Sequence, residues 1–195
     1  MILQRRALEE AGELKLLLDA VAAKNPFHHR ITPDGHRMSV AMTNCGDFGW
    51  STDSRGYQYS EGDNLTGHRW PAMPEQFSKL AKACAAEAGF KDFTPYACLI
   101  NRYEEGAKLT LHQDKDEQDL TQLIVSVSLG LPAVFQFGGF LRSDATRRVL
   151  LEHGDIVVWS GSSRLRFHGI LPLKHGVHPL TGPFRYNLTF RHAFR

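Results

Sequence analysis

Cysteine is scarce in this chain and carries no pattern. Cys45, Cys84 and Cys98 are the only three, with no CxxC among them. An odd, scattered set argues against a disulfide framework and fits a reducing compartment, with the thiols expected as small buried hydrophobes. Long apolar runs are missing too: none approaches the roughly 20 residues that a membrane helix needs. The opening residues, MILQRRALEEAG, lack the apolar core of about 7–15 residues that marks a secretory leader. A cytoplasmic protein with no membrane partner is expected. Charge of one sign is also absent, since 23 Lys and Arg face 21 Asp and Glu for a net charge of +2. That is too little to mark a nucleic-acid binder by charge alone. There is no internal repeat and no low-complexity stretch.

What is present reads as an ordinary globule. With 195 residues, 42% of them hydrophobic, the chain can bury its own core as one domain. Arginine outnumbers lysine 15 to 8. Its planar fork suits carboxylates and phosphates, although a compositional habit of the source genome gives the same ratio.

Two helices are expected. Residues 7–24 carry an apolar stripe of Leu14, Leu17, Leu18 and Val21, stopped by Asn25-Pro26. Residues 74–88 begin at Pro74, line Phe77, Leu80, Ala81 and Cys84 on one face, and end at Gly89. Between them, residues 36–60 hold short alternating stretches, and GWSTDSRGYQYS reads as strand–turn–strand. From about residue 93 the chain is β-rich. Candidate strands are 97–103, 109–113, 124–130, 133–139, 147–152, 155–160, 165–170 and 185–191. Many short strands without alternating helices favour an antiparallel sandwich over a doubly wound sheet. The reading is α+β: a double-stranded β-helix (jelly roll) with flanking N-terminal helices. Residues 1–195 form one domain, with 1–92 supplying the helices and a lid and 93–195 the jelly-roll core.

The sharpest local signal is His112-Gln113-Asp114, late in a strand. Side chains two apart on an extended segment point the same way, so one imidazole and one carboxylate can reach a single ion. A second histidine from a distant strand would complete the facial triad that binds Fe(II) and leaves open positions. Alone the signal is weak, because His-x-Asp pairs arise readily by chance among ten histidines. A second pair, His153-Gly154-Asp155, reads instead as a turn with a hydrogen-bonding aspartate. The best distal ligand is His168 in LRFHGI, although a lone strand histidine is more often a satisfied core residue. Asp114, Asp116, Glu117 and Asp119 do not make a calcium loop: the sixth position is Asp119 rather than Gly, and the twelfth is Val125 rather than Glu.

In RYNLTFR, strict alternation puts Arg185, Asn187, Thr189 and Arg191 on one face and Tyr186, Leu188 and Phe190 on the other. A solvated edge strand shows the same pattern. Two arginines on one face can also clamp a dicarboxylate by its two ends. Asn101 and Tyr103, likewise two apart, can add hydrogen bonds. His28, His29, His36, His68, His175, His178 and His192 are expected at the surface or capping loops.

Taken together, MSVAMTNCGDFGW, the Trp-Pro-Ala-Met-Pro run at 70–74, CLINRY, LHQDKDE, VSVSLGLPAVFQFGG, LLEHGDIVVW, RLRFHGI and RYNLTFR resemble the AlkB family of Fe(II)/2-oxoglutarate nucleic-acid demethylases, its bacterial members above all. They span nearly the whole chain in order, short of an N-terminal extension that those members carry. The resemblance implies that His112, Asp114 and His168 are the catalytic iron ligands. It implies that Arg185 and Arg191 pair with 2-oxoglutarate, helped by Asn101, Tyr103 and Asn187. It makes 36–60 a lid over the substrate base, with Trp50 stacking the base against His112. Asp116 and Arg142 would meet the base edge or pocket wall, and Tyr57 and Lys108 the phosphates. The implied reaction uses Fe(II), 2-oxoglutarate and O₂ to demethylate N-alkylated bases of the 1-methyladenine and 3-methylcytosine type. The partner would be single-stranded or flipped-base DNA, with RNA a second candidate, and the protein a monomer. A 2-oxoglutarate oxygenase acting on a protein or small metabolite, or a non-enzymatic jelly-roll binding module, remain the alternatives.

Overall fold

A seven-stranded antiparallel sheet forms the frame. The computed structural model describes residues 1–4 and 9–193. In chain order the strands are β1 (Ile2–Gln4), β2 (His28–Ile31), β3 (Arg37–Gly46), β4 (Gly49–Asp53), β5 (Gly56–Ser60), β6 (Ala97–Tyr103), β7 (Leu109–His112), β8 (Ile124–Gly130), β9 (Ala133–Phe137), β10 (Arg147–Leu151), β11 (Ile156–Trp159), β12 (His168–Ile170) and β13 (Arg185–Arg191). The large sheet runs β1-β11-β8-β13-β6-β3-β2, the small one β10-β9-β12-β7, and β4 and β5 pair as a separate hairpin. The described neighbours pair antiparallel throughout. This is the jelly-roll frame with a hairpin attached that the sequence pattern predicts.

Helices α1 (Ala11–Lys24) and α2 (Glu75–Glu87) cover one face of the large sheet. The start of α1 expected at residues 7 and 8 lies outside the described residues. Leu14, Leu18 and Val21 of α1 and Phe77, Leu80 and Cys84 of α2 pack on Val125, Val127, Ile156, Leu188 and Phe190. Phe77 meets Phe190 edge-on, with centroids 6.2 Å apart at 84°, a favoured aromatic geometry. The opposite face meets the small sheet through a second core of Val40, Met42, Leu99, Ile124, Phe135, Leu151, Val157 and Ile170.

Two differences from the sequence reading matter for the site. The large sheet draws β1, β2 and β3 from the first 92 residues, beside strands from beyond residue 93. β1 hydrogen-bonds to β11 and β3 to β6, contacts of long sequence separation that local periodicity cannot report, and β2 joins the edge through β3. Residues 165–167, read as strand, instead form the approach to β12.

The alternation in β13 now has a physical meaning. β13 lies between β8 and β6, so it is a central strand, and its polar face looks toward the interior rather than out to solvent. Tyr186, Leu188 and Phe190 feed the helix-side core. Arg185 (0% exposed), Thr189 (4%) and Arg191 (6%) are held between the sheets. The edge-strand alternative is thereby excluded. Burying two guanidiniums costs several kcal/mol each unless they are paired, so this face needs partners.

Candidate metal centre

His112 and His168 are cross-strand partners. β7 and β12 pair with His168 opposite His112 and Ile170 opposite Leu109, so β7 carries an extra residue here. A bulge of this kind bends a strand and re-aims its side chains. Gly169 permits the approach, since a Cβ there would lie 2.6 Å from the Leu109 carbonyl oxygen. The two imidazole centroids end 4.4 Å apart. Asp114, just past β7, brings one carboxylate oxygen 3.6 Å from His112 Nε2 and the other 3.6 Å from His168 Nε2. One ligand atom from each of the three lies within 4.8 Å of the others.

Both rings are oriented for ligation. His112 Nδ1 donates to the Thr110 carbonyl at 2.9 Å, and His168 Nδ1 to the Arg166 carbonyl at 3.0 Å. A proton held on Nδ1 leaves the Nε2 lone pair free for a metal. His112 keeps 32% of its side-chain surface, but that surface lines the pocket. Desolvation first, and His168 second, push its pKa down to about 4, so the ring is neutral at pH 7. Burial opposes ionisation of Asp114, yet the Arg191 guanidinium and both histidines hold its carboxyl well below the usual range. Two imidazoles that present Nε2 and an ionised carboxylate on one side of a pocket are the donor set that octahedral Fe(II) takes, with three positions left over.

Beside the triad stands a cavity of about 750 Å³. Its floor is the polar face of the large sheet. Register places Tyr103 opposite Arg185 and Asn101 opposite Asn187. Arg185 donates to Ser128 Oγ at 2.8 Å and the Leu131 carbonyl at 3.3 Å, and its Nε has no partner. Among the described residues no carboxylate lies within ion-pair distance of it. Burial accordingly pulls its pKa down to about 10. Arg191 donates to Asp114 Oδ2 at 2.8 Å and pairs through Nε with Glu117 Oε1 at 2.8 Å, while its Nη1 is unpartnered. Asn101 Oδ1 is also buried and unpartnered. Donors left open at both ends of one cavity fit a dicarboxylate whose two ends carry charge. Asn187 differs: its amide nitrogen donates to Ser126 Oγ at 2.7 Å and its oxygen accepts from Thr189 Oγ1 at 2.9 Å, so it braces the floor.

The hairpin β4–β5 forms a wall. Gly56, at φ +130°, makes the tight turn between its strands. Trp50 and Tyr57 stack with centroids 5.5 Å apart at 18°, and Trp50 Nε1 donates to Asp116 Oδ2 at 2.9 Å. Burial raises the Asp116 carboxyl despite that bond. Tyr57, Lys108, Asp116 and Arg142 all line the same cavity as the triad. Arg142 donates to the Leu111 carbonyl beside His112 and lies 5.0 Å from the Phe167 ring centroid. All the residues singled out from the sequence thus line one pocket.

One group escaped the sequence reading. Glu117, its side chain 2% exposed, sits between Arg191 Nε and Arg164 Nη2, at 2.8 and 3.0 Å, and accepts from the Tyr59 hydroxyl at 3.1 Å. Arg164 also donates to the Asp114 carbonyl. Nothing local distinguishes Glu117 from the other acids of its run, because its partners lie far off in the chain, on β5, on β13 and in the turn at Arg164. His153-Gly154-Asp155 is a turn as expected, with Gly154 at φ +85° and Asp155 Oδ2 accepting from the Glu152 amide at 2.9 Å.

A jelly roll carrying a His-Asp-His cluster beside an arginine-lined cavity has the form of a mononuclear Fe(II) oxygenase that takes a keto acid. The sequence pattern of the 2OG-Fe(II) oxygenase superfamily matches residues 1–191. The alpha-ketoglutarate-dependent dioxygenases AlkB of Salmonella typhimurium and Escherichia coli are each 59% identical over 193 residues, covering 99% of this chain and 89% of theirs. The solved structure of OsALKBH1 superposes with a TM-score of 0.83 at 29% identity, covering 98% of this chain and 97% of that one. The chain belongs to the AlkB family of 2-oxoglutarate-dependent Fe(II) dioxygenases, close to the bacterial members. Fe(II), 2-oxoglutarate and O₂ are its cofactor and co-substrates. No helix among the described residues is long and apolar enough to cross a membrane.

Proposed function

We propose that this dioxygenase repairs N-alkylated bases, of the 1-methyladenine and 3-methylcytosine type, in DNA and in RNA, by oxidative demethylation. The observation that carries this reading is the wall of Trp50, Tyr57 and Asp116 across the same cavity as the His112–Asp114–His168 cluster. A relative, human ALKBH1, is named a nucleic acid dioxygenase, and one from Schizosaccharomyces pombe a tRNA demethylase.

His112 Nε2, His168 Nε2 and a carboxylate oxygen of Asp114 hold the iron. Arg191, at the triad end of β13, takes the keto-acid end of 2-oxoglutarate through its open Nη1. Arg185 takes the distal carboxylate, with Tyr103 beside it. The two arginines are six residues apart, roughly 20 Å along the strand, so their side chains must converge on the ligand. Bound iron would supply the oxidation with 2-oxoglutarate and O₂: one oxygen atom of O₂ ends in succinate as CO₂ leaves, and the other hydroxylates the N-methyl carbon. The hydroxymethyl group then leaves as formaldehyde.

The chain's own contribution is placement. A base inside a duplex cannot reach this depth, so it enters single-stranded or flipped out. Trp50 stacks it on one side, its opposite face being covered by Tyr57, and the His112 ring closes the other. Asp116 Oδ2 is committed to Trp50, which leaves Oδ1 for the exocyclic amine. Tyr57 and Lys108, both exposed, meet the backbone phosphates, and Arg142 walls the pocket. One molecule suffices for this, so the protein works as a single-domain monomer, and in the cytoplasm with its substrate.

Formaldehyde yield from a panel of methylated oligonucleotides, with and without 2-oxoglutarate, tests the proposal. Release only with 2-oxoglutarate is expected, and His112→Ala should lose it together with bound iron while staying folded. Trp50→Ala should raise KM for the oligonucleotide by about fivefold or more, since stacking is worth roughly 1–3 kcal/mol per base. Succinate production with peptides but with no methylated nucleic acid would overturn the reading.

A further inference from the structure

The loop that carries Arg142, a lining residue of the pocket, also carries two side chains that neither the metal centre nor the β4–β5 hairpin uses. Register aligns Arg147, Phe137, His168 and His112 across the small sheet. The loop joining β9 to β10, residues 138–146, therefore leaves the sheet at the end where the histidines stand. At its tip Phe140 and Leu141, consecutive in the chain, are 53% and 64% exposed. Single exposed apolar residues are ordinary; these two are adjacent and precede Arg142, which lines the pocket.

The tip is fixed. The Leu141 amide donates to Asp144 Oδ2 at 2.9 Å, and the Asp144 amide to the Leu141 carbonyl at 3.0 Å. Gly138 donates to the Phe167 carbonyl at 2.8 Å and Phe167 to the Gly139 carbonyl at 2.9 Å, which ties the loop to the approach of β12. Arg166 donates to the Gly138 carbonyl at 3.2 Å and lies 5.1 Å from the Phe140 ring centroid. The surroundings are cationic: Arg142, Arg147 and Arg148 are exposed on the same hairpin, and its one carboxylate, Asp144, is used in the turn.

We propose that Phe140, with Leu141 beside it, is a stacking platform for the nucleobase next to the one delivered to the iron. The inference rests on the demethylase reading and names a subsite for it. When a base leaves its stack, its neighbour exposes a π-face to water. A rigid aromatic at the pocket mouth covers that face, and the arginines around it meet the adjoining phosphates. Stacking of this kind tolerates any sequence because every base has a π-face, and the phosphate contacts add affinity without specificity. Neither a small metabolite nor an acidic peptide would need the apolar pair.

The test is a cycle on KM using methylated single-stranded oligonucleotides, intact or with an abasic site on either side of the lesion. Phe140→Ala should raise KM for the intact strand about fivefold or more. Succinate formation without oligonucleotide should be unchanged, which shows that fold and iron site survive. Removing one flanking base should weaken wild-type binding by a similar factor and leave the variant indifferent, and Phe140→Trp should restore the loss. An unchanged KM, or a variant whose loss is the same with and without the flanking base, would sink the proposal, because the ring would then serve only the loop. If the wild type releases no formaldehyde from any methylated strand, the demethylase reading fails first and this subsite falls with it.

Discussion

Glu117 shows how much one buried carboxylate can organise without touching the metal. Its two oxygens serve Arg191 and Arg164, and through Tyr59 it reaches the β4–β5 hairpin. Arg191 in turn holds Asp114, so the hairpin and the candidate iron ligand share one charge network. Breaking a buried ion pair by removing one partner costs about 3–5 kcal/mol, because the other charge is left unpaired in low dielectric. Glu117→Gln keeps the shape and removes the charge. It should lower unfolding stability in urea by about 3 kcal/mol and weaken Fe(II) binding, since Arg191 would then lean on Asp114 alone. Full stability and iron affinity in that variant would show that the network is incidental. At this scale the sequence was informative where spacing mirrors geometry: His112 and Asp114 are two apart on an extended segment, as are Asn101 and Tyr103. It was silent on Glu117 and Arg164, whose meaning comes from partners 42 or more residues away in the chain.

At the scale of elements, period decided what could be read. β6, β8 and β13 were legible to the residue because each alternates or runs apolar between turn residues. The hairpin β4–β5 was legible from its aromatics and from the Arg55-Gly56 turn. β1 and β2 were not, being three and four residues long and defined by pairing with β11 and β3. One junction between elements makes a pH prediction. His153, in the turn between β10 and β11, accepts the Gly130 amide at the end of β8 on Nδ1 at 3.0 Å. Its ring lies 4.6 Å from that of His178, and His178 Nδ1 accepts the Leu180 amide at 3.2 Å. Burial first, and His178 second, lower the His153 pKa below 6.5. The folded state then prefers the neutral ring, so its stabilising contribution is complete above pH 6.5. It is lost as pH falls through the lowered folded value, because the unfolded chain binds the proton more readily. His153→Asn keeps an acceptor near Nδ1 and removes the titration. Its melting temperature should therefore fall less than the wild type's between pH 7 and pH 5, and parallel declines would remove His153 from the account.

For the whole molecule, the proposed keto-acid site implies a trade of stability for binding, and Arg185 is where it can be measured. The guanidinium is fully buried on a central strand and lacks a carboxylate partner among the described residues. Replacing a buried charge by an apolar side chain of similar volume is often neutral or stabilising by about 1–4 kcal/mol. Arg185→Met without ligand should therefore melt at or above the wild-type temperature, by a few degrees for a chain of this length. Ligand binding reverses the order. Mn(II) in place of Fe(II), together with 2-oxoglutarate at about 100 times its dissociation constant, should stabilise the folded state by about 2.7 kcal/mol. That raises the wild-type melting temperature by roughly 5–10 °C. In Arg185→Met most of that rise should vanish, because the distal carboxylate would be buried without its cation, while Mn(II) alone should still bind through His112, Asp114 and His168. A variant that loses stability without ligand yet keeps the full ligand-induced shift would mean that Arg185 is structural, and that the dicarboxylate lies elsewhere in the cavity.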